Sequence, residues 1–170
     1  MNYSAIKYND VANGEGVRTS LFVSGCTHHC KGCFNEVAWA FDAGEPFTEE
    51  VAERIFSSLE PDWIAGLSLL GGEPFEPVNQ RALVPFLREY KRRFPKKDLW
   101  CWTGYLYEND LVSPQGRARC EVTDEFLSMI DVLVDGPFVE AQKDISLRFR
   151  GSGNQRIIEL RKNRAVSPVN

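Results

Sequence analysis

The chain has 170 residues, which corresponds to about one domain and is long enough to bury a hydrophobic core. Hydrophobic residues make up 43% and charged residues 26%, so the composition excludes a disordered or fibrous chain. The 20 basic and 24 acidic residues give a net charge of −4, which argues against direct nucleic-acid binding. The longest apolar run, residues 63–70, is too short to span a bilayer, and the N-terminal sequence shows no secretory signal, so we expect a cytoplasmic protein.

Short apolar segments that end near glycine or proline alternate with segments of helical spacing. The first helix is expected after Thr48 as N-cap, the second over residues 79–93 with Pro85 as a kink or as its true start, and a third over residues 123–129 with Thr123 as its cap. Polar residues 108–119 are expected to form a loop. The predicted strands cover residues 19–24, 65–70, 98–103, 130–134 and 155–160.

Strands that alternate with helices indicate parallel βαβ units. A complete eight-unit barrel needs about 250 residues, so this chain has room for about five or six units. The predicted fold class is therefore α/β, an incomplete open (β/α) barrel. Because no linker divides the sequence, residues 1–170 are expected to form a single domain.

Three of the five cysteines lie within eight residues, in the sequence Cys26-Thr-His-His-Cys30-Lys-Gly-Cys33. An odd number of cysteines without a secretory signal is a poor disulfide framework. The residues between the three cysteines are polar, which disagrees with a cluster of buried core thiols. Three sulfur donors on one short loop therefore predict a metal centre.

Two kinds of metal centre fit this loop. Structural zinc takes four ligands, and His28 or His29 would have to complete a Cys3His set, because no second cysteine pair follows. A four-iron cluster held by only three cysteines leaves one iron free to bind another molecule. The spacing favours an iron–sulfur cluster over zinc.

The segments that follow the predicted strands are expected to meet at one edge, because parallel α/β folds bind ligands at the carboxyl ends of their strands. These segments are the cysteine loop, Gly71-Gly72-Glu73-Pro74, Thr103-Gly104 and Asp135-Gly136. Gly71 and Gly72 would let a ligand approach the backbone, although an ordinary tight turn has the same sequence. Glu73 would hold an amino group or lie in solvent, and Asp135 would be a ligand at this edge or a helix cap.

The two histidines of the chain, His28 and His29, both lie in the cysteine loop, which excludes a histidine-based triad elsewhere. An enzyme of this composition must take its reactivity from cofactors. Of the two remaining cysteines, Cys101 lies between tryptophans and is interpreted as a packing residue, and Cys120 lies in a polar loop, where a redox role is the alternative.

The C-terminal segment, residues 143–164, carries seven basic and two acidic residues, a net charge of +5, which leaves −9 on the rest of the chain. This asymmetry favours a docking surface for an acidic or nucleotide-bearing partner, with a solvated tail as the alternative.

Taken together, the motifs resemble a known family. A C-x3-C-x2-C loop after a strand, followed by Gly-Gly-Glu-Pro after the next, is similar to the radical S-adenosylmethionine superfamily. Further segments resemble the activating proteins of anaerobic ribonucleoside-triphosphate reductases, and the likeness covers nearly the whole chain. These segments are residues 13–18, 21–26, 32–35, 102–105, 132–136, 148–152 and 154–156.

This resemblance implies a [4Fe-4S] cluster on Cys26, Cys30 and Cys33, with S-adenosylmethionine bound to the fourth iron. It implies that an electron from reduced flavodoxin cleaves S-adenosylmethionine, and that the 5′-deoxyadenosyl radical takes a hydrogen atom from a glycine of the reductase. The cofactor contacts that it implies are Gly32, Cys33, Phe34, Gly72, Glu73, Thr103 and Asp135.

Two other functions remain open at this point. The first is another radical enzyme of the same superfamily, which activates a different glycyl-radical enzyme or acts on a small molecule. Only the partner-facing motifs distinguish it from the function that the resemblance implies. The non-enzymatic alternative is a binding module stabilised by zinc on a Cys3His site.

Overall fold

The computed structural model describes residues 1–161, which form a seven-stranded sheet in the order β3-β1-β2-β4-β5-β6-β7. The four central strands, β2, β4, β5 and β6, are parallel, whereas β1, β3 and β7 pair antiparallel at the two sides. The strands are β1 (Asn2–Asp10), β2 (Val17–Val23), β3 (Glu45–Pro46), β4 (Ile64–Gly71), β5 (Asp98–Trp102), β6 (Val132–Asp135) and β7 (Arg156–Glu159).

The α/β class is confirmed, but the expected five or six parallel strands are wrong, because the described chain has four. The last predicted strand exists as β7, yet it runs antiparallel to β6. A parallel neighbour is reached through a crossover that usually contains an α-helix. The chain from β6 to β7 holds only the 3-10 turn Glu140–Gln142. The N-terminal strand β1 was not predicted.

Three helices connect the parallel strands: α1 (Glu49–Leu59), α2 (Pro77–Arg93) and α3 (Thr123–Met129). Thr48 caps α1 as predicted, since its side chain accepts a hydrogen bond from the backbone of Val51. The second helix begins earlier than predicted, with Pro77 in its first turn, and continues through Pro85. None of the helices in residues 1–161 has the length and apolar character that crossing a bilayer requires.

Two local predictions are wrong. Thr123 does not cap α3, because its hydroxyl donates to Gln80 Oε1 at 2.7 Å and accepts from the amide of Cys120 at 2.8 Å. The expected loop 108–119 begins with a π-helical turn, Tyr107–Val112. Asp110 holds this turn, since its carboxylate accepts from the amide of Leu106 at 2.8 Å.

The hydrophobic core lies between the central strands and the helices. Leu21, Leu67 and Leu69 on the sheet are fully buried, and so are Ile55 of α1 and Leu87 of α2. Cys101 is also fully buried within this core, as its predicted packing role requires.

A buried arginine crosses the sheet near the amino ends of the central strands. Arg18 on β2 has no exposed surface, lies 2.6 Å from Asp98 and donates to Ser68 Oγ at 2.7 Å and to the carbonyl oxygen of Leu67 at 2.9 Å. A Cβ atom at Gly66 would lie 3.0 Å from its guanidinium group. Arg18 therefore joins β2, β4 and β5 through polar contacts in an otherwise apolar interior.

We expect Arg18→Met to lower the free energy of unfolding by about 3 kcal/mol, because it removes a buried cation from its ion pair and leaves the buried acceptors Ser68 Oγ and Leu67 O unpaired. Arg92→Met is the matched control, since Arg92 pairs with Glu89 at the surface and should leave the free energy of unfolding within measurement error of wild type. Denaturant unfolding measures both values. Equal effects of the two substitutions would contradict the assigned role of Arg18.

Candidate metal centre

The carboxyl ends of the parallel strands surround a cavity of about 500 Å³. The segments predicted to meet there do so: the cysteine loop, the turn after β4, Thr103-Gly104 and Gly136 all contribute to its wall. A further wall comes from residues 138–155, to which the sequence analysis gave no place in the site. The expected convergence at this edge of the sheet is confirmed.

The cysteine loop begins directly after β2 and is fixed at its first residues. The amide of Gly25 donates to the carbonyl oxygen of Ala38 at 2.8 Å, and the amide of Cys26 donates to the carbonyl oxygen of Trp39 at 3.0 Å. Gly25 has a φ of +94°, and a Cβ atom there would lie 2.3 Å from the ring of Phe41. Only glycine fits this position without strain.

The three cysteines of the loop all line the cavity. Cys26 is buried, whereas Cys30 and Cys33 are half-buried, and none forms a disulfide. Burial raises the pKa of the Cys26 thiol to about 11. Three free sulfur ligands on one wall are the donor set that iron–sulfur clusters take. The residues present therefore fit such a group.

The two histidines are engaged by other side chains. His28 Nε2 lies 3.0 Å from Glu73 Oε2, and the ring of His29 stacks on Trp39 with 4.6 Å between centroids. In residues 1–161, no three His, Cys, Asp or Glu side chains surround a common point at which one ion would bind. The described residues therefore show no Cys3His arrangement.

The turn after β4 packs against the cysteine loop through its glycines. The amide of Gly72 donates to Val23 O at 2.7 Å, and that of Glu73 donates to Gly25 O at 2.8 Å. A Cβ atom at Gly72 would lie 2.5 Å from Gly25 O and 2.9 Å from Ala38 O. Because Gly72 has no side chain, the two protein segments can approach closely at this point. Gly72 also forms part of the cavity wall.

The Glu73 carboxylate lines the cavity but is already bound by protein groups, and its contact with a cofactor stays a prediction. It is 1% exposed. Its Oε1 accepts from the Phe75 amide and the Thr103 hydroxyl, both at 2.8 Å, and its Oε2 accepts from the Gly104 amide at 2.8 Å besides facing His28. Four protein groups thus occupy this carboxylate.

Asp135 is also used within the protein. It is fully buried, pairs with Arg156 and accepts from the amide of Tyr107 at 2.9 Å. Gly136 lines the cavity, but Asp135 is not among the lining residues found in the described chain. Asp135 is thus held by Arg156 and by the first residue of the π-helical turn, and its predicted cofactor contact is not among the contacts that line the cavity in the described chain.

The other predicted contact residues, Gly32, Cys33, Phe34 and Thr103, lie on the cavity wall. Gly32 has a φ of +74°, which allows the tight bend between Cys30 and Cys33. The side chain of Phe34 is 85% exposed at the cavity opening. These positions are compatible with cofactor contacts, which remain predictions.

The outer wall of the cavity consists of residues that the sequence analysis assigned to a charged docking segment or to the resemblance alone, together with Phe138, to which it gave no role. Phe138, Lys143, Ile145, Phe149 and Arg150 all contribute to it. These residues lie more than 100 positions after the cysteines, so the sequence does not show that they share a cavity with them. The resemblance over residues 148–152 was the one available signal.

The basic segment is less positively charged at the surface than its composition suggests. Arg156 pairs with Asp135 and Glu108, and Arg161 pairs with Asp131. Arg148 lies at the surface, 3.8 Å from Glu15. Lys162 and Arg164 lie outside the described residues.

We expect Gly72→Ala to lower the iron bound per chain after anaerobic reconstitution and to cost about 1–3 kcal/mol of folding free energy, because a Cβ atom would collide with backbone oxygens. Gly153→Ala is the control, since the nearest atom to a Cβ there is 3.8 Å away. Iron analysis and denaturant unfolding give the two readouts. Full iron content and unchanged stability in Gly72→Ala would contradict this packing.

Comparison with known proteins agrees with the geometry of the site. Residues 12–158 match the family model of a 4Fe-4S single cluster domain. The chain is 46% identical over 157 residues to the anaerobic ribonucleoside-triphosphate reductase-activating protein of Haemophilus influenzae, covering 91% of this chain and 96% of the relative. The proteins of the same name from Escherichia coli K12 and Enterobacteria phage T4 are 40% and 38% identical, with 95% and 92% of this chain and 100% and 93% of theirs covered. The chain therefore belongs to the family of anaerobic ribonucleoside-triphosphate reductase-activating proteins.

Proposed function

We propose that the chain binds S-adenosylmethionine beside a [4Fe-4S] cluster on Cys26, Cys30 and Cys33 and generates a glycyl radical on an anaerobic ribonucleoside-triphosphate reductase. The observation that carries this proposal is the position of three free cysteines of one loop on the wall of the cavity at the carboxyl edge of the sheet. The family membership agrees with it. The relatives' shared name gives the reductase as the target of activation.

The cluster would be held by Cys26, Cys30 and Cys33, and with S-adenosylmethionine it would supply the reactivity: one-electron reductive cleavage to methionine and a 5′-deoxyadenosyl radical that would take a hydrogen atom from a glycine of the reductase. This chemistry needs no protein acid or base at the reacting atoms. Of the two histidines, His28 faces Glu73 and His29 stacks on Trp39. Neither is required as a proton carrier.

The residues of the chain hold the cofactor and exclude water. A cavity of about 500 Å³ lies within the size range of small-molecule sites. Leu70 and Phe138 give it apolar surface, and Gly32 and Gly72 line it without side chains. We propose that S-adenosylmethionine occupies the side of the cavity formed by Gly32, Cys33, Phe34, Gly72 and Thr103.

We also propose that the sheet is an incomplete, open barrel of the radical S-adenosylmethionine type, since its carboxyl edge surrounds a cavity. The chain would act as one domain over residues 1–170, because one sheet contains all the strands of residues 1–161. All five cysteines are free, which agrees with a reducing compartment such as the cytoplasm. Reduced flavodoxin is the proposed electron donor.

The reductase is proposed to dock on the cavity opening. Ile145 is 95% exposed and Phe34 is 85% exposed, and both side chains lie at the same opening. Large apolar side chains exposed together are typical of protein-binding surfaces. Lys143 and Arg150 of the basic segment lie on the same wall. A glycine of the partner must reach the cofactor through this opening, so these residues are the proposed contact surface.

The proposed reaction is tested by anaerobic reconstitution with iron and sulfide, followed by reduction in the presence of S-adenosylmethionine. We expect a brown protein that forms 5′-deoxyadenosine and methionine in equal amounts, and a glycyl radical signal by electron paramagnetic resonance when the reductase is added. Cys30→Ala should abolish these products, because it removes a cluster ligand. A reconstituted wild-type protein that forms no 5′-deoxyadenosine contradicts the proposal.

The docking surface is tested by the affinity for the reductase. We expect Ile145→Asp to weaken binding at least about tenfold, since it places a charge in an apolar contact. Val78→Asp is the matched control, because Val78 is 46% exposed on α2 and lies outside the cavity wall. Biolayer interferometry with immobilised reductase measures both. Equal affinities of the two variants would contradict the assigned surface.

A further inference from the structure

The two residues that follow Cys26 are held by two buried carboxylates of one turn. Glu76 Oε1 accepts two hydrogen bonds from Thr27, from its amide at 2.8 Å and from its hydroxyl at 2.6 Å. Glu76 is 5% exposed, although Thr27 itself is exposed. Glu73 Oε2 holds His28 Nε2 at 3.0 Å. Both contacts join the cysteine loop to the segment between β4 and α2.

The ring of His28 also rests on the segment after β5. Its centroid lies 4.3 Å from that of Tyr105 in an edge-to-face arrangement. A Cβ atom at Gly104 would lie 2.7 Å from His28 Cδ2, so glycine is needed there to seat the ring. The Thr103 hydroxyl and the Gly104 amide bind the same Glu73 carboxylate. The Thr-Gly-Tyr segment therefore supports the cysteine loop besides lining the cavity.

The position of Glu76 makes this contact informative. It precedes the first turn of α2, where a side chain commonly caps the free amide groups of the helix. Its side chain makes no such bond and binds Thr27 instead. Burying two carboxylates costs free energy unless they are paired or hydrogen-bonded. Here that cost is offset by contacts to residues that lie between two predicted cluster ligands.

We propose that Glu73 and Glu76 are positioning residues of the metal centre, which hold Thr27 and His28 so that Cys26 and Cys30 are ordered before iron is bound. This rests on the proposed function, since the same loop carries the cluster there. Ordering a loop costs conformational entropy. Because the clamp formed by Glu73 and Glu76 orders this loop when the chain folds, iron binding does not have to bear that cost. Neither carboxylate is proposed to touch the cluster.

The first test uses the metal-free protein under reducing conditions. The Thr27 amide is hydrogen-bonded to Glu76, so its hydrogen exchange should be slowed. We expect exchange at least about tenfold faster in Glu76→Ala, and within about threefold of wild type in Glu76→Gln, whose amide oxygen keeps both acceptor contacts. Unchanged exchange at Thr27 in Glu76→Ala overturns the inference without reference to any activity.

The second test follows the reconstituted cluster. We expect an iron chelator to remove iron at least about tenfold faster from Glu76→Ala than from wild type, with a broadened paramagnetic resonance signal of the reduced cluster, and Glu76→Gln to restore both. Wild-type rates and spectra in Glu76→Ala overturn the positioning role. An equal defect in both variants also overturns it, because only the alanine variant lacks the acceptor oxygen.

Glu125→Gln is the matched control, since Glu125 is a surface carboxylate that binds Arg88 on another part of the molecule. It should behave as wild type in both tests. If Glu76→Ala does not fold, Thr27→Val removes the hydroxyl contact from an exposed position, and faster iron loss is again expected. Failure of the wild type to form a cluster would contradict the proposed function. The exchange test would still show whether Glu76 orders the cysteine loop, because it uses the metal-free protein.

Discussion

The Glu73 carboxylate is the polar contact on which the geometry of the site depends. A carboxyl group that is 1% exposed would be destabilising without partners, and here three donors and the ring of His28 surround it. These partners come from the cysteine loop after β2, from the turn after β4 and from Thr103-Gly104 after β5. The carboxyl ends of three parallel strands are thereby fixed relative to one another, and the cavity takes its shape from this arrangement.

The sequence predicted the parallel centre of the sheet and missed its antiparallel sides. Strands β2, β4, β5 and β6 are buried runs that end near glycine or proline, so their apolar pattern was visible without any tertiary information. Strand β1 has polar and charged residues throughout and is exposed over part of its length, so periodicity gave no signal for it. The direction of β7 depends on its pairing with β6, a tertiary contact that local sequence does not encode.

The cysteine loop was predictable because its residues are neighbours in the chain. The spacing of Cys26, Cys30 and Cys33 is itself the signal, and their shared cavity followed from the strand order. The partners of Glu73 were not predictable, because His28 lies 45 residues away and Thr103 lies 30 residues away. The partner of Asp135 was not predictable for the same reason, since Arg156 reaches it only through the pairing of β6 with β7. A side chain's type shows its chemistry, and its partners decide whether that chemistry is available.

The two walls of the cavity serve opposite requirements of one reaction. The inner wall, formed by the cysteine loop, the turn after β4 and Thr103, is tied together by buried hydrogen bonds, as the positioning of a reactive cofactor demands. The outer wall, residues 138–155, presents exposed Ile145 at the opening. In the proposed reaction a radical formed inside would react with whatever reaches it, so the opening would have to be covered by the protein that carries the target glycine. An apolar rim with a rigid interior meets both requirements, because docking then buries the exposed side chains and closes the cavity in the same event.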